Sequence, residues 1–231
     1  MPETAKASAT PRRSAATLAD LLEEEIVIGA RFPRERLVED ELMARFDAKR
    51  HAVRQTLQVL EARGLVERRR NAGAFVRSFS AKEVTDLYVL REVLEVSCAR
   101  LIALPVPAER LERLAAVQAR HEEAVEAGDV RAVVFSNAAF HRELFALADN
   151  EVLLEAINKH ARMAHAIRSV TVTSPESLRR SRNEHRLMLD ALRDQDTELL
   201  AATCRDHLLP SRDAYLRRVT LAEGPPPTGR E

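Results

Sequence analysis

Residues 38–76 read VEDELMARFDAKRHAVRQTLQVLEARGLVERRRNAGAFV. Two short amphipathic segments, Val38 to Phe46 and Arg50 to Gly64, are separated only by Asp47-Ala48-Lys49. So short a connection forces two helices to cross steeply, which predicts a helix-turn-helix. In the second segment Val53, Leu57 and Leu60 form an apolar face, while Arg50 and Arg54, four residues apart, share the opposite face. After Gly64, Leu65 to Arg68 and Ala74 to Arg77 give two strand signals around a basic turn containing Gly73, the pattern of a β-hairpin wing.

The surroundings are helical. Leu18, Leu21, Leu22 and Ile26 recur at helical spacing in a first helix from about Ala15 to Gly29. Ser80-Ala81-Lys82-Glu83 has the form of a capping box and opens the next helix. Breaks at Pro105 to Pro107, Gly128-Asp129, Asp149-Asn150, Thr173 to Pro175 and Asp194 to Asp196 divide the remainder into helices over 81–104, 108–127, 130–148, 151–171, 176–193 and 197–221. Pro210 falls inside the last, where the missing amide predicts a kink. Aromatic residues are only 4% of the 231-residue chain and tryptophan is absent, which favours helices over a β-sandwich. The expected fold is therefore mainly α: a disordered arm over 1–14, a winged helix-turn-helix over 15–79, an all-helical domain over 80–222 and a disordered tail over 223–231.

Net charge is zero, but it is segregated. Residues 45–77 hold nine basic against three acidic side chains, a net of +6, whereas Ser80 onward holds 21 basic and 24 acidic, a net of −3. Only the first region is suited to phosphates, so the expected partner is double-stranded DNA. Lys49, Arg50, His51 and Arg54 would enter the major groove from the start of the second helix, and Arg68, Arg69 and Arg70 of the wing would follow the adjacent backbone or minor groove. One such helix buries little DNA, so a homodimer on a two-fold symmetric operator is expected. No stretch approaches the ~20 apolar residues of a membrane span, and the first residues lack the apolar core of a secretory signal, which points to the cytoplasm and no membrane partner. Cys98 and Cys204 are too few and too separated for a disulfide framework and are expected to be reduced core residues.

Three of the seven histidines occupy positions where apolar residues belong. They are His141 in the seam Val130, Val134, Asn137, His141, Leu144; His185 in the seam Leu178, His185, Leu189; and His207 in the seam Leu200, Thr203, His207. Either each finds its own buried partner, or one divalent metal ion satisfies all three through neutral imidazoles, with Asn137 adding an oxygen. Arg91 interrupts the apolar stripe Val84, Leu87, Leu94, Cys98, Leu101, so it either pairs with Glu95 or snorkels, or offers a guanidinium fork to a carboxylate. Three histidines with an open coordination position could also serve a metalloenzyme, but the sequence has no HExxH, nucleophile elbow or phosphate loop, so an enzyme is not expected.

The order Leu37-Val38-Glu39-Asp40-Glu41-Leu42, Arg50-His51-Ala52-Val53-Arg54-Gln55-Thr56-Leu57 and Gly73-Ala74-Phe75-Val76 resembles the GntR family of transcription regulators over about residues 16–79. That family usually has Ser-Arg-Thr-Pro-Val-Arg where this chain has Lys49-Arg50-His51-Ala52-Val53-Arg54; both arginines match. Asn137-Ala138-Ala139-Phe140-His141, Glu184-His185 and His207-Leu208 are similar to the FCD effector domain of the FadR subfamily over about residues 82–218. The resemblance implies a divalent metal, such as zinc, nickel or manganese, held by one Asp and three His beside a small organic acid effector. His141, His185 and His207 match those histidines, while Asn137 stands where the Asp is usual. An acyl-CoA effector without a metal is the alternative within the same subfamily.

Overall fold

The computed structural model describes residues 14–169, 171 and 174–223, with side chains to 221; the terminal arm and tail expected from composition otherwise lie outside these residues. Ser14 belongs to the fold, because its Oγ accepts a hydrogen bond from the Thr17 amide at 3.1 Å and caps α1 (Ala15–Val27). There follow β1 (Arg36–Leu37), α2 (Glu39–Phe46), α3 (Arg50–Ala62), β2 (Val66–Arg69) and β3 (Gly73–Val76). Asp47, at φ 48°, turns the chain out of α2, and Gly64, at φ +75°, turns it out of α3. A Cβ on Gly64 would also lie 2.9 Å from Met163 Cγ, so both conformation and space favour glycine there.

The sheet has the order β1-β3-β2 and is antiparallel, with Glu67 and Arg36 both opposite Phe75. Strand β1 is an addition to the sequence expectation. Two residues carry no alternation to read, and pairing with β3 alone defines the strand.

The remaining elements are α4 (Ala81–Leu101), α5 (Ala108–Ala127), α6 (Val130–Ala146), α7 (Glu151–Met163), α8 (His165–Arg168), α9 (Pro175–Arg193) and α10 (Thr197–Glu223). The capping box forms as expected: the Glu83 amide donates to Ser80 Oγ at 3.2 Å and the Ser80 amide donates to Glu83 at 2.9 Å. The single helix expected over 151–171 is instead divided at Ala164. The interruption lets Ala164, Ala166 and Ile167 enter the core together, a tertiary demand invisible to local periodicity. Helix α4 stops at Leu101, which is 56% exposed, so the buried stripe continues through Glu95, Ala99 and Ile102 rather than through Leu101. Helix α10 extends through Pro210 and includes Glu223.

Two cores result. The first joins Leu22, Leu57, Leu60 and Val76 of the winged unit to Leu87 and Tyr88 of α4, Ile167 of α8 and Tyr215 of α10. The second fills the far part of the helical unit with Cys98, Phe140, Phe145, Met188 and Cys204. Both cysteines are free, and burial raises the Cys98 thiol to about 12. The first core is shared, so the winged unit is packed onto α4, α8 and α10 rather than hung from a linker.

Candidate functional site

Helix α3 buries Val53, Thr56, Leu57 and Leu60 and exposes Lys49, Arg50, His51 and Arg54 at its start. Arg50 Nη2 donates to Asp40 at 2.7 Å and Arg54 Nε to Glu39 at 3.0 Å, so carboxylates from the first turn of α2 hold both guanidinium groups. These pairs are more than half exposed on the arginine side and are worth little in water, so a phosphate or base edge can displace them. In the wing, Arg68, Arg69 and Arg70 are exposed around the turn. Arg69 bonds Glu67 at 2.9 Å and lies over the Phe75 ring at 4.7 Å, while among the described residues Arg68 and Arg70 have no ion pair.

In the helical unit, α6, α9 and α10 bring His141, His185 and His207 together, with one nitrogen from each ring within 4.8 Å of the others. His141 Nε2 is 3.0 Å from His207 Nε2 and 3.3 Å from His185 Nε2. Neighbours fix two of the tautomers. His207 Nδ1 lies 2.7 Å from the Glu184 carboxylate, which can only accept, and His185 Nδ1 lies 3.0 Å from Gln118 Oε1. The Gln118 amide is oriented by donating to Glu122 and to the Arg182 carbonyl. Both rings therefore carry hydrogen on Nδ1 and turn bare Nε2 lone pairs toward His141. One imidazole hydrogen cannot serve both, and giving it to Nε2 strips His141 Nδ1, which is buried without a partner among the described residues. A divalent cation at the convergence resolves this conflict, so the residues fit a metal.

Burial, and then the neighbouring charge of His207, holds His141 well below the ordinary imidazole range; burial and then His141 do the same for His185. Neutral rings are the form that ligates metal. Burial would raise the Glu184 carboxyl, but the hydrogen bonds from His207 and Arg180 outweigh it and lower it. Asn137, one turn before His141, is buried; its Oδ1 accepts from Ser181 Oγ at 3.4 Å and its Nδ2 has no partner among the described residues.

His141 and His207 border an open cavity of about 860 Å³, open solvent included, which Arg91, Asn137, Arg168 and Pro210 also line, while His185 stands behind them. Arg91 is paired with Glu95: Nε and Nη2 lie 3.0 and 2.9 Å from the same carboxylate oxygen, while Nη1 is buried with no partner among the described residues. Burial would lower the Arg91 guanidinium, but the Glu95 charge overcomes it. The alternative of pairing with Glu95 is thus realised without using the whole guanidinium.

The model of the bacterial regulatory proteins of the gntR family matches residues 14–76, and that of the FCD domain matches residues 86–209. A D-xylose utilization operon transcriptional repressor of Paenarthrobacter nicotinovorans, named as probable, is 30% identical over 190 residues, covering 80% of each chain. The chain belongs to the GntR family of transcriptional regulators and carries an FCD domain. The Nta operon transcriptional regulator of Aminobacter aminovorans is 28% identical over 80% of this chain and 86% of its own. A solved structure described as a GntR regulator from Rhodococcus sp. RHA1 superposes with a TM-score of 0.75 at 25% identity, covering 88% of this chain and 97% of the other. Escherichia coli McbR/YncC, with a TM-score of 0.76 at 18% identity over 89% and 98%, shares the fold.

Both matched domains are those of regulators rather than enzymes, which removes the metalloenzyme alternative. Among the described residues no helix is long and apolar enough to cross a membrane. Three residues that line this cavity, His121, Arg168 and Glu184, and Gln118 beside the histidine cluster were given no role in the sequence reading. Gln118 and His121 lie on the buried face of α5 with Leu114 and Val117, and two polar residues on an apolar seam were a legible signal. Burial lowers His121 to about 4. Glu184 adjoins His185 and was readable as its neighbour, but Arg168 had no signal because the division of 151–171 places it.

Proposed function

We propose that this GntR regulator works as a homodimer on a palindromic operator in the cytoplasm and answers to a small carboxylate metabolite bound in its FCD domain. Lys49, Arg50, His51 and Arg54 read or clamp the operator, and Arg68, Arg69 and Arg70 follow the phosphates beside it. His141, His185 and His207 would hold a divalent ion such as zinc, nickel or manganese, with Asn137 as a weak fourth ligand. That ion would offer Lewis-acidic positions to a carboxylate. The observation that carries this reading is the convergence of three histidines, two of which line one cavity with Arg91. Arg91 lies on α4, which follows the wing through Arg77 to Ser80, so a ligand that prefers one position of α4 has a short route to the winged unit. The names of two relatives, regulators of a D-xylose utilization operon and of the Nta operon, support control of an operon.

The test is a ligand-screened operator assay on wild type and Arg91→Ala. The variant is expected to bind operator normally without ligand and to lose the response to any acid that shifts the wild type. A wild-type response in the variant would make Arg91 structural.

A further inference from the structure

The cavity holds a second guanidinium. Arg168, the last residue of α8, lines it together with Arg91, His141 and His207. Among the described residues Arg168 joins no ion pair, and Glu95 and Tyr88 act on it only at a distance. Arg91 is different, because two of its nitrogens are already committed to Glu95. The positive charge of Arg91 is thus largely cancelled inside the protein and that of Arg168 is not. Burial, and then the proximity of Arg91, makes the charged form of Arg168 costly and lowers its pKa. A guanidinium remains charged in proteins, so the cost persists until an anion arrives.

The same cavity is bordered by His141 and His207 of the histidine cluster, a neutral donor set that would leave a divalent ion its full charge. Besides the Glu184 carboxylate, which is committed to His207, the cavity lining thus carries two guanidinium groups that the fold leaves unsatisfied, that of Arg91 at its unpartnered Nη1 and that of Arg168. A monocarboxylate satisfies only one of them. We propose that Arg168 is a second anion-binding residue of this cavity and that the ligand is a small organic acid bearing two anionic groups, one at the histidines and Arg91 and the other on Arg168. This rests on the effector reading of the cavity given above.

The position of Arg168 gives its arm of the ligand a direct connection to the winged unit. The buried neighbours Ala166 and Ile167 pack in the core shared with Leu22 and Ile26 of α1. His165 Nδ1 is 3.6 Å from Glu23 on α1, and Glu23 accepts from Arg63 Nη1, just past the end of α3, at 2.6 Å. An anion that draws Arg168 bears on the segment that supports α1 and α3.

The test is isothermal titration of metal-loaded full-length protein with matched acids of equal carbon number: butyrate and succinate, hexanoate and adipate, 2-methylbenzoate and phthalate. In the wild type at least one diacid is expected to bind about tenfold or more tightly than its monoacid partner. In Arg168→Ala that preference should fall to near unity while monoacid affinity stays near that of wild type, and Arg168→Lys should retain part of it. A wild type without diacid preference, or an Arg168→Ala variant that keeps it, overturns the proposal. Monoacid binding that depends on Arg91 but not on Arg168 would leave the effector reading standing and remove only this addition. If none of these acids binds the wild type, the carboxylate reading itself fails and this proposal with it. Should Arg168→Ala not fold, Arg168→Met decides, because it keeps much of the side-chain bulk without charge or donors, and full diacid preference in that variant assigns the contact elsewhere.

Discussion

His207 Nδ1 lies 2.7 Å from Glu184 Oε2. A carboxylate can only accept, so this contact fixes the hydrogen on Nδ1 and leaves Nε2 as a lone pair facing His141. Gln118 sets His185 in the same way from α5. The ring orientations are thus imposed by neighbours that stand outside the three-histidine cluster.

Glu184→Gln is expected to weaken divalent metal binding by about 10–100-fold, because an amide can present its NH2 to the ring and stabilise the wrong tautomer. Competition with a chelator of known affinity measures the change, and Glu184→Asp should recover part of it. Equal affinity in wild type and Glu184→Gln would mean that His207 needs no orienting partner.

Tyr215 links the last helix to the junction between wing and α4. Its hydroxyl accepts from the Phe79 amide at 2.9 Å and donates to the Phe79 carbonyl at 3.3 Å, and both residues are buried. Tyr215→Phe preserves the packing but leaves a buried N–H and C=O unpaired, which should cost about 1–3 kcal/mol. Urea unfolding at constant m-value would read this directly; a midpoint unchanged from wild type would show that water replaces the hydroxyl.

The contrast between these two sites shows what the chain discloses before folding. The helix-turn-helix was legible because its signals are local: a three-residue connection, apolar spacing at Val53, Leu57 and Leu60, and glycines where the backbone turns left-handed. His141, His185 and His207 were legible because imidazoles on apolar seams demand partners. Their tautomers were not, since periodicity can mark Gln118 as a polar residue on a buried seam but cannot say which ring it meets, and Glu184 reaches His207 on another helix. Arg168 was hidden for a related reason. Its place depends on where α7 is interrupted, and Ala164, Ala166 and Ile167 decide that by packing on the winged unit.

On the DNA side, Arg50→Ala and Arg54→Ala should each cost about 1–3 kcal/mol of specific affinity where the side chain reads a base, and weaken all sequences alike where it holds phosphate. Arg68→Ala or Arg70→Ala should instead reduce the salt dependence of binding by about one phosphate contact. Fluorescence anisotropy with operator and scrambled DNA over a range of salt separates these outcomes, and wild-type affinity in both α3 variants would remove the recognition-helix assignment.

His165 predicts an acid-sensitive contact between the units. Burial, then the fields of Arg168 and Arg91, keep its imidazole below the ordinary 6.5, although Glu23 pulls the other way. Because the folded value is depressed, the unfolded chain takes the proton more readily, so the associated stability is complete above 6.5 and is lost as pH falls through that value toward the folded one. The Glu23 carboxyl is also held low: burial opposes this, but His165 and Arg63 prevail, so its loss begins only below 4.5. His165→Gln should therefore flatten the fall of unfolding free energy between about pH 6.5 and 5. Parallel profiles for variant and wild type would assign the acid sensitivity elsewhere.

Asn137 tests the charge of the candidate metal shell. It stands one turn before His141, buried, with Nδ2 unpartnered among the described residues and only a 3.4 Å contact at Oδ1. Three imidazoles and an amide bring no negative charge to a divalent ion, so Asn137→Asp supplies the missing carboxylate at nearly constant volume. Two opposite effects are expected. Without metal the variant should be less stable than wild type, because a buried carboxylate replaces a neutral amide, although Arg91 and Arg168 on the same cavity limit the cost. With metal it should bind at least about tenfold more tightly, about 1.4 kcal/mol, and gain more from saturation than wild type does. Melting temperatures with and without added zinc, together with chelator competition, distinguish the two effects. If the variant is destabilised equally in both conditions and its metal affinity is no higher, position 137 does not face the ion, and the cluster is a three-histidine site completed by solvent or ligand.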